Sequence, residues 1–180
     1  MVNSPLWSDN AMKSRWMSIP THTAIHFSPT GEWSFPVGSV WVKHFELAVD
    51  ETNPATPPRR LETRLLVCGT NGTVFGATYK WKPDNTDAEL LTNKLDEEIV
   101  IRTASGFHVQ TWHYPSRGEC LLCHSMVAHG VLEVKTTQSN CDNVYTNGVT
   151  DNQLRAWNHI GLFPPHSTRL TLPVTPTWFR

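Results

Sequence analysis

The sequence predicts an α+β fold in which an antiparallel β-sheet domain is followed by a short helix and one closing helix. Three observations support this prediction. Segments rich in β-branched and aromatic residues fill residues 39–48, 61–81 and 99–114. An Asn-Gly pair at residues 71–72 is a strong signal for a hairpin turn. Short helical patterns follow only after residue 115.

The composition is that of one globular domain. A chain of 180 residues can bury a hydrophobic core without disulfide or metal staples. Charged residues make up 17% of the chain and the formal net charge is -1, so we predict no nucleic-acid partner. No run of 18 apolar residues occurs, and we predict no membrane span.

Proline and aromatic content divide the chain into three segments. We predict an N-terminal arm rich in Trp and Pro over residues 1–38, a β-rich domain over residues 39–163 and a Pro-rich extended tail over residues 164–180. The β-rich domain is expected to contain the functional site, because the chemically informative residues lie within it.

Strand signals account for most of the chain before residue 115. The segments predicted to be strands are residues 39–48, 61–69, 73–81, 99–103 and 107–114. Residues 70–72 join the second strand to the third as a hairpin, and Gly106 marks a second hairpin between the last two. The prolines between residues 50 and 60 indicate a loop.

Two helices are predicted in the last third. The first covers residues 116–125, with Ser116 as its N-cap directly after Pro115. The second covers residues 151–160, capped by Thr150 or Asp151 and ended by Gly161. Its apolar positions recur every third residue, which is typical of a helix with one buried side.

The most informative residues lie in the first of these helices. Cys120, Cys123 and His124 form a C-x-x-C-H pattern. On a helix, positions i, i+3 and i+4 share one face, so two thiols can each add to a vinyl group of one porphyrin. The imidazole of the following histidine is then the proximal iron ligand. The pattern therefore predicts one covalently attached haem c.

Two other interpretations of the two cysteines remain open. A C-x-x-C pair can be a thiol–disulfide redox centre, in which a lowered thiol pKa provides the reactivity. It can also supply half of a zinc site, which needs two further ligands. His129 and Cys141 are the nearest candidates in sequence for that role. The chain has no second C-x-x-C pair.

Further residues are candidates for a haem pocket. We expect Trp112 and Tyr114 to pack beside the porphyrin and Arg117 to pair with a propionate, for which a guanidinium is well suited. His44 is the first candidate for the distal iron ligand. The other candidates are His108, His113, His159, Met12 and Met17, whereas Met126 and His129 follow His124 too closely. An open sixth position would instead bind O2, NO or peroxide.

The remaining two cysteines and the N-terminus bear on the cellular compartment of the protein. Cys68 is expected to be a buried thiol, or to form a disulfide with Cys141 in an oxidising compartment. Haem c is attached on the exported side of a membrane, so the motif predicts a periplasmic or extracellular protein. The first residues lack the basic and apolar regions of a signal peptide. We therefore expect a mature or excised piece of a longer protein, a truncated gene product, or a chain that does not bind haem.

Several ordered stretches carry a resemblance to a known family. Residues 2–16 read V-N-S-P-L-W-S-D-N-A-M-K-S-R-W, and residues 35–47 read F-P-V-G-S-V-W-V-K-H-F-E-L. Shorter matches are L-E-T-R at 61–64, Y-K-W at 79–81, Y-P-S-R at 114–117, K-T-T-Q at 135–138 and N-Q-L at 152–154. Together they resemble an exported bacterial family of dihaem c-type cytochromes associated with sugar dehydrogenases of the glucose/sorbosone type, which use pyrroloquinoline quinone (PQQ).

The resemblance implies an electron carrier rather than an enzyme. The resemblance is to the first haem module of that family, since this sequence has one C-x-x-C-H where the family has two. Its partner would be a redox protein, either a PQQ-type dehydrogenase or another cytochrome. The order of a β-sheet domain followed by a late C-x-x-C-H also resembles, more weakly, cytochrome P460 and the β-sheet cytochromes c′. That likeness implies a five-coordinate haem, with Lys43 or Lys80 as a residue cross-linked to the porphyrin.

Overall fold

The computed structural model describes residues 6–132 and 134–164. These residues form antiparallel β-sheets with three short helices, which confirms the prediction of a β-rich fold with few helices. The predicted tail lies outside the described residues except for Pro164. Among the described residues, no helix is both long enough and apolar enough to cross a bilayer.

Five strands form the main sheet, each antiparallel to the next along the chain. They are β1 (Met12–Ser18), β2 (Val40–Leu47), β3 (Arg59–Cys68), β4 (Val74–Trp81) and β5 (Ala88–Leu91). A short 3₁₀ turn at Thr70–Gly72 connects β3 to β4, as the Asn-Gly pair predicts. Gly72 has a φ of 71°, a conformation that favours glycine.

Strand β1 lies within the predicted N-terminal arm, where no strand was expected. Its residues pair with β2 from Met12 opposite Glu46 to Ser18 opposite Val40. The strand lies at the edge of the sheet, and its side chains alternate between exposed and half-buried. Charged residues at 13 and 15 are typical of an edge strand and weaken the apolar pattern by which a strand is recognised.

A hairpin of β6 (Leu95–Thr103) and β7 (Gly106–Tyr114) covers part of the main sheet. The predicted strand began at residue 99, but the structure starts it four residues earlier. Ile99 and Ile101 are buried while Val100 between them is exposed, which is the two-residue period of a half-buried strand. The resulting core contains eight buried residues: Ala11, Phe45, Leu47, Leu61, Ile99, Ile101, Trp112 and Tyr114.

The two faces of the main sheet have different partners. Residues directly opposite each other in an antiparallel pair lie on the same face. Phe45 is opposite Glu62, and Arg64 is opposite Thr78. We call the face that carries these four residues the core face, because the ring of Trp112 packs against Phe45 with 5.6 Å between ring centroids.

The last third of the described chain contains the helices and a second hydrophobic cluster. Its elements are α1 (Arg117–Cys123), α2 (Thr136–Ser139), β8 (Asp142–Val144), β9 (Thr150–Asn152) and α3 (Gln153–His159). The cluster consists of Ile25, Trp33, Leu154 and Phe163. It joins the N-terminal segment to α3 and lies apart from the first core.

The closing helix begins later than predicted. Thr150 and Asp151 pair within the β8–β9 hairpin, so neither is the N-cap. Asn152 has that role, and its side-chain oxygen accepts hydrogen bonds from the backbone N–H of Leu154 and Arg155. Gly161, with a φ of 79°, follows the end of the helix as expected.

Candidate functional site

The C-x-x-C-H residues lie on α1 and its C-terminal cap. Ser116 is the N-cap and forms a capping box, in which its backbone N–H donates to Glu119 Oε2 at 2.8 Å. Cys120 and Cys123 lie within the helix, and His124 is the C-cap residue, whose N–H donates to the carbonyl of Cys120 at 3.0 Å. The local sequence thus fixes where this short helix starts and which residues it presents.

Two contacts anchor α1 to the core face at β4. Thr78 Oγ1 donates a hydrogen bond to the carbonyl of Pro115 at 2.9 Å, just before the helix begins. Cys120 lies directly on Gly76, where an added Cβ would be 2.8 Å from the Cβ of Cys120 and 3.1 Å from its Sγ. A glycine in a strand interior often marks such a close approach. The sequence analysis did not identify this contact.

The two thiols of the motif differ in environment. Cys120 is half-buried, and burial raises the pKa of its thiol against the opposing effects of the Arg64 charge and a hydrogen bond with Thr78. Cys123 is exposed. None of the four cysteines forms a disulfide, so of the two alternatives for Cys68 the structure shows the buried thiol and not a bond to Cys141. Cys68 donates to the carbonyl of Phe35, whereas Cys141 donates to Gln153 Oε1.

The imidazole of His124 is held in one orientation by the backbone. Its Nδ1 lies 2.7 Å from the carbonyl oxygen of Gly130. A carbonyl can only accept, so Nδ1 carries the proton and Nε2 is left with a lone pair. Gly130 has a φ of 72°, and an added Cβ would lie 2.8 Å from Val74 Cγ1 and 3.2 Å from the carbonyl oxygen of Gly72. The acceptor for His124 is therefore fixed against the β3–β4 hairpin.

A charged pair lies on the core face beside the helix. Glu62 is fully buried, and its carboxylate accepts two hydrogen bonds from Arg64, at 2.5 Å and 2.9 Å. Trp112 Nε1 donates a third bond to Glu62 at 3.2 Å. The Arg64 guanidinium also stacks on the ring of Phe45, 4.7 Å from its centroid. A buried carboxylate needs partners of this kind, and here all of them are on the core face.

The predicted pocket aromatics lie inside the hydrophobic core. Trp112 is 4% exposed and Tyr114 is 0% exposed. The hydroxyl of Tyr114 donates to Glu97 Oε2 at 2.7 Å, and burial raises the pKa of that hydroxyl above its ordinary value. Rings so fully covered have little surface left for contact with another group. Arg117 is exposed, and its guanidinium stacks on Phe75 at 3.7 Å from the ring centroid.

The structure does not bring His44 near α1. Neighbouring residues of a strand point to opposite faces, and Phe45 is on the core face. Accordingly His44 Nδ1 lies 2.8 Å from Thr63 Oγ1, and its ring packs edge-on against Trp81 on the other side of the sheet. We therefore do not retain His44 as a ligand candidate alongside His124.

Of the other candidate distal ligands, His113 lies nearest α1. Its Nδ1 is 2.6 Å from Asp96 Oδ1, and its Nε2 is 3.5 Å from Glu119 Oε2. Carboxylates thus face both of its ring nitrogens. Met17 packs against the second hydrophobic cluster, and His159 ends α3.

The zinc interpretation depends on ligands that the structure does not gather. Within residues 6–132 and 134–164, no group of three or more His, Cys, Asp or Glu side chains is arranged to hold a metal ion. A haem site makes a different demand, because the porphyrin nitrogens supply four ligands and the protein supplies one or two. The absence of a zinc-type cluster therefore does not affect the haem interpretation.

Apolar side chains are exposed around the motif. We call this set the apolar rim, and its most exposed members are Leu122 at 79% and Val127 at 91%. The other members are Leu121 and Met126, which lie within or directly after the motif. Such a concentration of exposed apolar residues indicates a surface that another group covers. The sequence signal for it is the pair Leu121-Leu122 between the two cysteines.

The chain matches no protein-family model, no curated protein and no solved structure. The resemblance to dihaem c-type cytochromes therefore stays a prediction. The function must be argued from the geometry around Cys120, Cys123 and His124.

Proposed function

We propose that this chain is a c-type cytochrome module that binds one covalent haem and transfers electrons. The observation that carries the proposal is the bond between His124 Nδ1 and the carbonyl of Gly130, directly after two free thiols on the same short helix. A hydrogen bond from Nδ1–H to a backbone carbonyl is the usual support for a histidine that binds a metal through Nε2.

The residues present fit a haem, and each has a definable role. Cys120 and Cys123 would hold it, each through a thioether formed when S–H adds across a vinyl C=C bond, and His124 would supply the proximal nitrogen. The bound iron supplies a one-electron redox couple. The Gly130 carbonyl fixes the orientation of the imidazole. The apolar rim would exclude water from the attached group.

One charged residue near the motif could contact a carboxylate of the attached haem. Arg117 is exposed at the first turn of α1 and is available to a carboxylate, although it also stacks on Phe75.

The proposed role requires a redox partner, which would be a PQQ-type dehydrogenase or another cytochrome. Attachment of haem c further implies a periplasmic or extracellular location.

A second candidate function is a five-coordinate haem that binds or reduces small ligands such as NO or peroxide. The placement of His44 on the other face of the sheet favours it, because the first candidate for a distal ligand lies away from α1. The reduced optical spectrum with carbon monoxide distinguishes the two functions. A large spectral shift indicates an open sixth position, whereas an unchanged spectrum indicates a filled one.

The experiment that tests the proposal is maturation of the exported chain in a host that has the haem-attachment machinery. We expect a pyridine haemochrome spectrum of haem c, and an intact mass that includes one porphyrin under denaturing conditions. Cys120→Ser and Cys123→Ser should each lose one thioether link. Cys141→Ser is the matched control, because Cys141 hydrogen-bonds Gln153 in another part of the molecule. A bare polypeptide mass for the unsubstituted chain refutes the proposal.

A further inference from the structure

The Glu62–Arg64 pair lies where it can act on a group attached to Cys120. Arg64 is directly opposite Thr78 in the β3–β4 ladder, and Leu66 is opposite Gly76. Cys120 rests on Gly76, and the segment before α1 is hydrogen-bonded to Thr78. The pair and the thiol therefore share one region of the core face, and Glu62 in that region is fully buried.

We propose that Arg64 and Glu62 set the reduction potential of the group held at Cys120, with Arg64 raising the potential and Glu62 lowering it. This inference rests on the proposed function. Both are positioning residues, because they act through charge and not through contact with iron. The Coulomb energy between charges in a partly buried site is larger than at the surface, since water screens it less.

The sign of each effect follows from the electron balance. One electron from the redox partner would reduce a haem iron held at the motif from ferric to ferrous, which would remove one unit of positive charge. A nearby positive charge favours the ferrous form, whereas a nearby negative charge favours the ferric form. Because Arg64 and Glu62 form an ion pair, removal of either one leaves the other without that partner. Lys80 is opposite Glu62 in the β3–β4 ladder, and it is kept in every variant. Lys43 is opposite Arg64 in the β2–β3 ladder, and it is kept in every variant.

The test is an optical redox titration of the haem-loaded protein with Arg64→Met, Glu62→Gln and the double variant. We expect Arg64→Met to lower the potential and Glu62→Gln to raise it, and the double variant to return close to the starting value. Each single change should alter the oxidised-to-reduced ratio at a fixed potential by about threefold to tenfold, and a tenfold change is 59 mV for a one-electron couple. Equal shifts in the same direction, or no shift, overturn the inference.

A second charged pair in the same chain provides the matched control. Asp151 and Arg155 form an ion pair between β9 and α3, where Arg155 is exposed. Asp151→Asn and Arg155→Met remove the same charges from the second cluster's side of the molecule, and neither should move the potential. If Arg64→Met fails to fold, Arg64→Lys replaces it. That variant keeps the positive charge, so its potential should stay above that of a folded Arg64→Gln.

A measurement on the chain without haem separates this inference from the proposed function. In a Cys123→Ser background, the rate at which iodoacetamide modifies Cys120 reports the thiolate population. Arg64→Met should slow this reaction and Glu62→Gln should accelerate it, while labelling of Cys141 in the same sample stays constant. If haem never attaches but these rates change, the proposed function fails and the charge coupling stands. If haem attaches but neither the rates nor the potentials change, the coupling fails alone.

Discussion

Gly76→Ala should force α1 away from the main sheet. The added methyl group would lie 2.8 Å from the Cβ of Cys120, closer than carbon atoms approach in folded proteins, and 3.1 Å from Sγ. Rotation of the Cys120 side chain can move Sγ but not Cβ, so the shorter contact is relieved only if the helix backbone moves. Overpacking of this kind typically costs about 1–3 kcal/mol. The lower backbone entropy of alanine offsets about 0.5–1 kcal/mol of that cost.

Urea unfolding of the chain without haem measures this net loss, which is about 0–2.5 kcal/mol with a central value of about 1 kcal/mol. With a slope of about 2 kcal/mol/M, the midpoint should fall by about 0.5 M. Gly118→Ala is the matched control, because its added Cβ would meet only Ser116 Oγ at 4.0 Å. That substitution lies within α1 and should stabilise the chain by about 0.5–1 kcal/mol.

The same substitution should also reduce haem attachment. Displacement of α1 changes where the Cys120 thiol lies relative to Cys123 and His124, and two thioether bonds need both thiols correctly placed. The fraction of chains that carry haem after maturation should therefore fall for Gly76→Ala and stay unchanged for Gly118→Ala. A Gly76→Ala protein with unchanged midpoint and unchanged haem content would show that the contact between Cys120 and β4 is not a constraint.

Three further predictions concern the same region. Gly130→Ala places a side chain at a φ of 72°, so we expect a loss of about 1–2 kcal/mol in urea unfolding and a changed chemical shift of the His124 imidazole. The pKa of Glu119 is lowered from 4.5 in the folded chain, chiefly by a hydrogen bond from the backbone N–H of Ser116. The Glu119 carboxylate therefore stabilises the fold above pH 4.5, and this stabilisation is lost as the pH falls through the lowered pKa of the folded state. Glu119→Gln should flatten the pH dependence of unfolding in acid, and an unchanged dependence would contradict this. Burial raises the pKa of the Cys68 thiol, so iodoacetamide should label Cys68 far more slowly than the exposed Cys123 in the native chain. Equal labelling rates for the two thiols would argue against the burial of Cys68.

Most strands were predictable because their signals are local. Residues 73–81 alternate and follow an Asn-Gly turn, and β4 spans Val74–Trp81. The start of β6 was missed because Leu95–Glu98 carries acidic residues that interrupt the apolar pattern. The edge strand β1 was missed for a related reason. Its burial alternates, but the charged residues Lys13 and Arg15 occupy half-buried positions, so its hydrophobicity does not alternate.

The site was predictable only where its chemistry is contiguous in sequence. Cys120, Cys123 and His124 follow one another closely, so their pattern was visible. The role of Gly130 as acceptor for His124 depends on how the following turn meets the β3–β4 hairpin, which no local pattern encodes. For His44 the missing information was the side of the sheet. Strand alternation places His44 and Phe45 on opposite faces, but the sequence alone does not tell which face contacts α1.

The seven residues of α1 amount to two turns, and an isolated segment of that length does not stay helical in water. The helix is stabilised by the hydrogen bond from Thr78 to the carbonyl of Pro115 and by the packing of Cys120 on Gly76. Thr78 and Gly76 both belong to β4, which precedes α1 in the chain. All seven strands of the main sheet and its covering hairpin end by Tyr114, before the first cysteine of the motif. During synthesis all the residues that form the surface for α1 therefore leave the ribosome before Cys120 does.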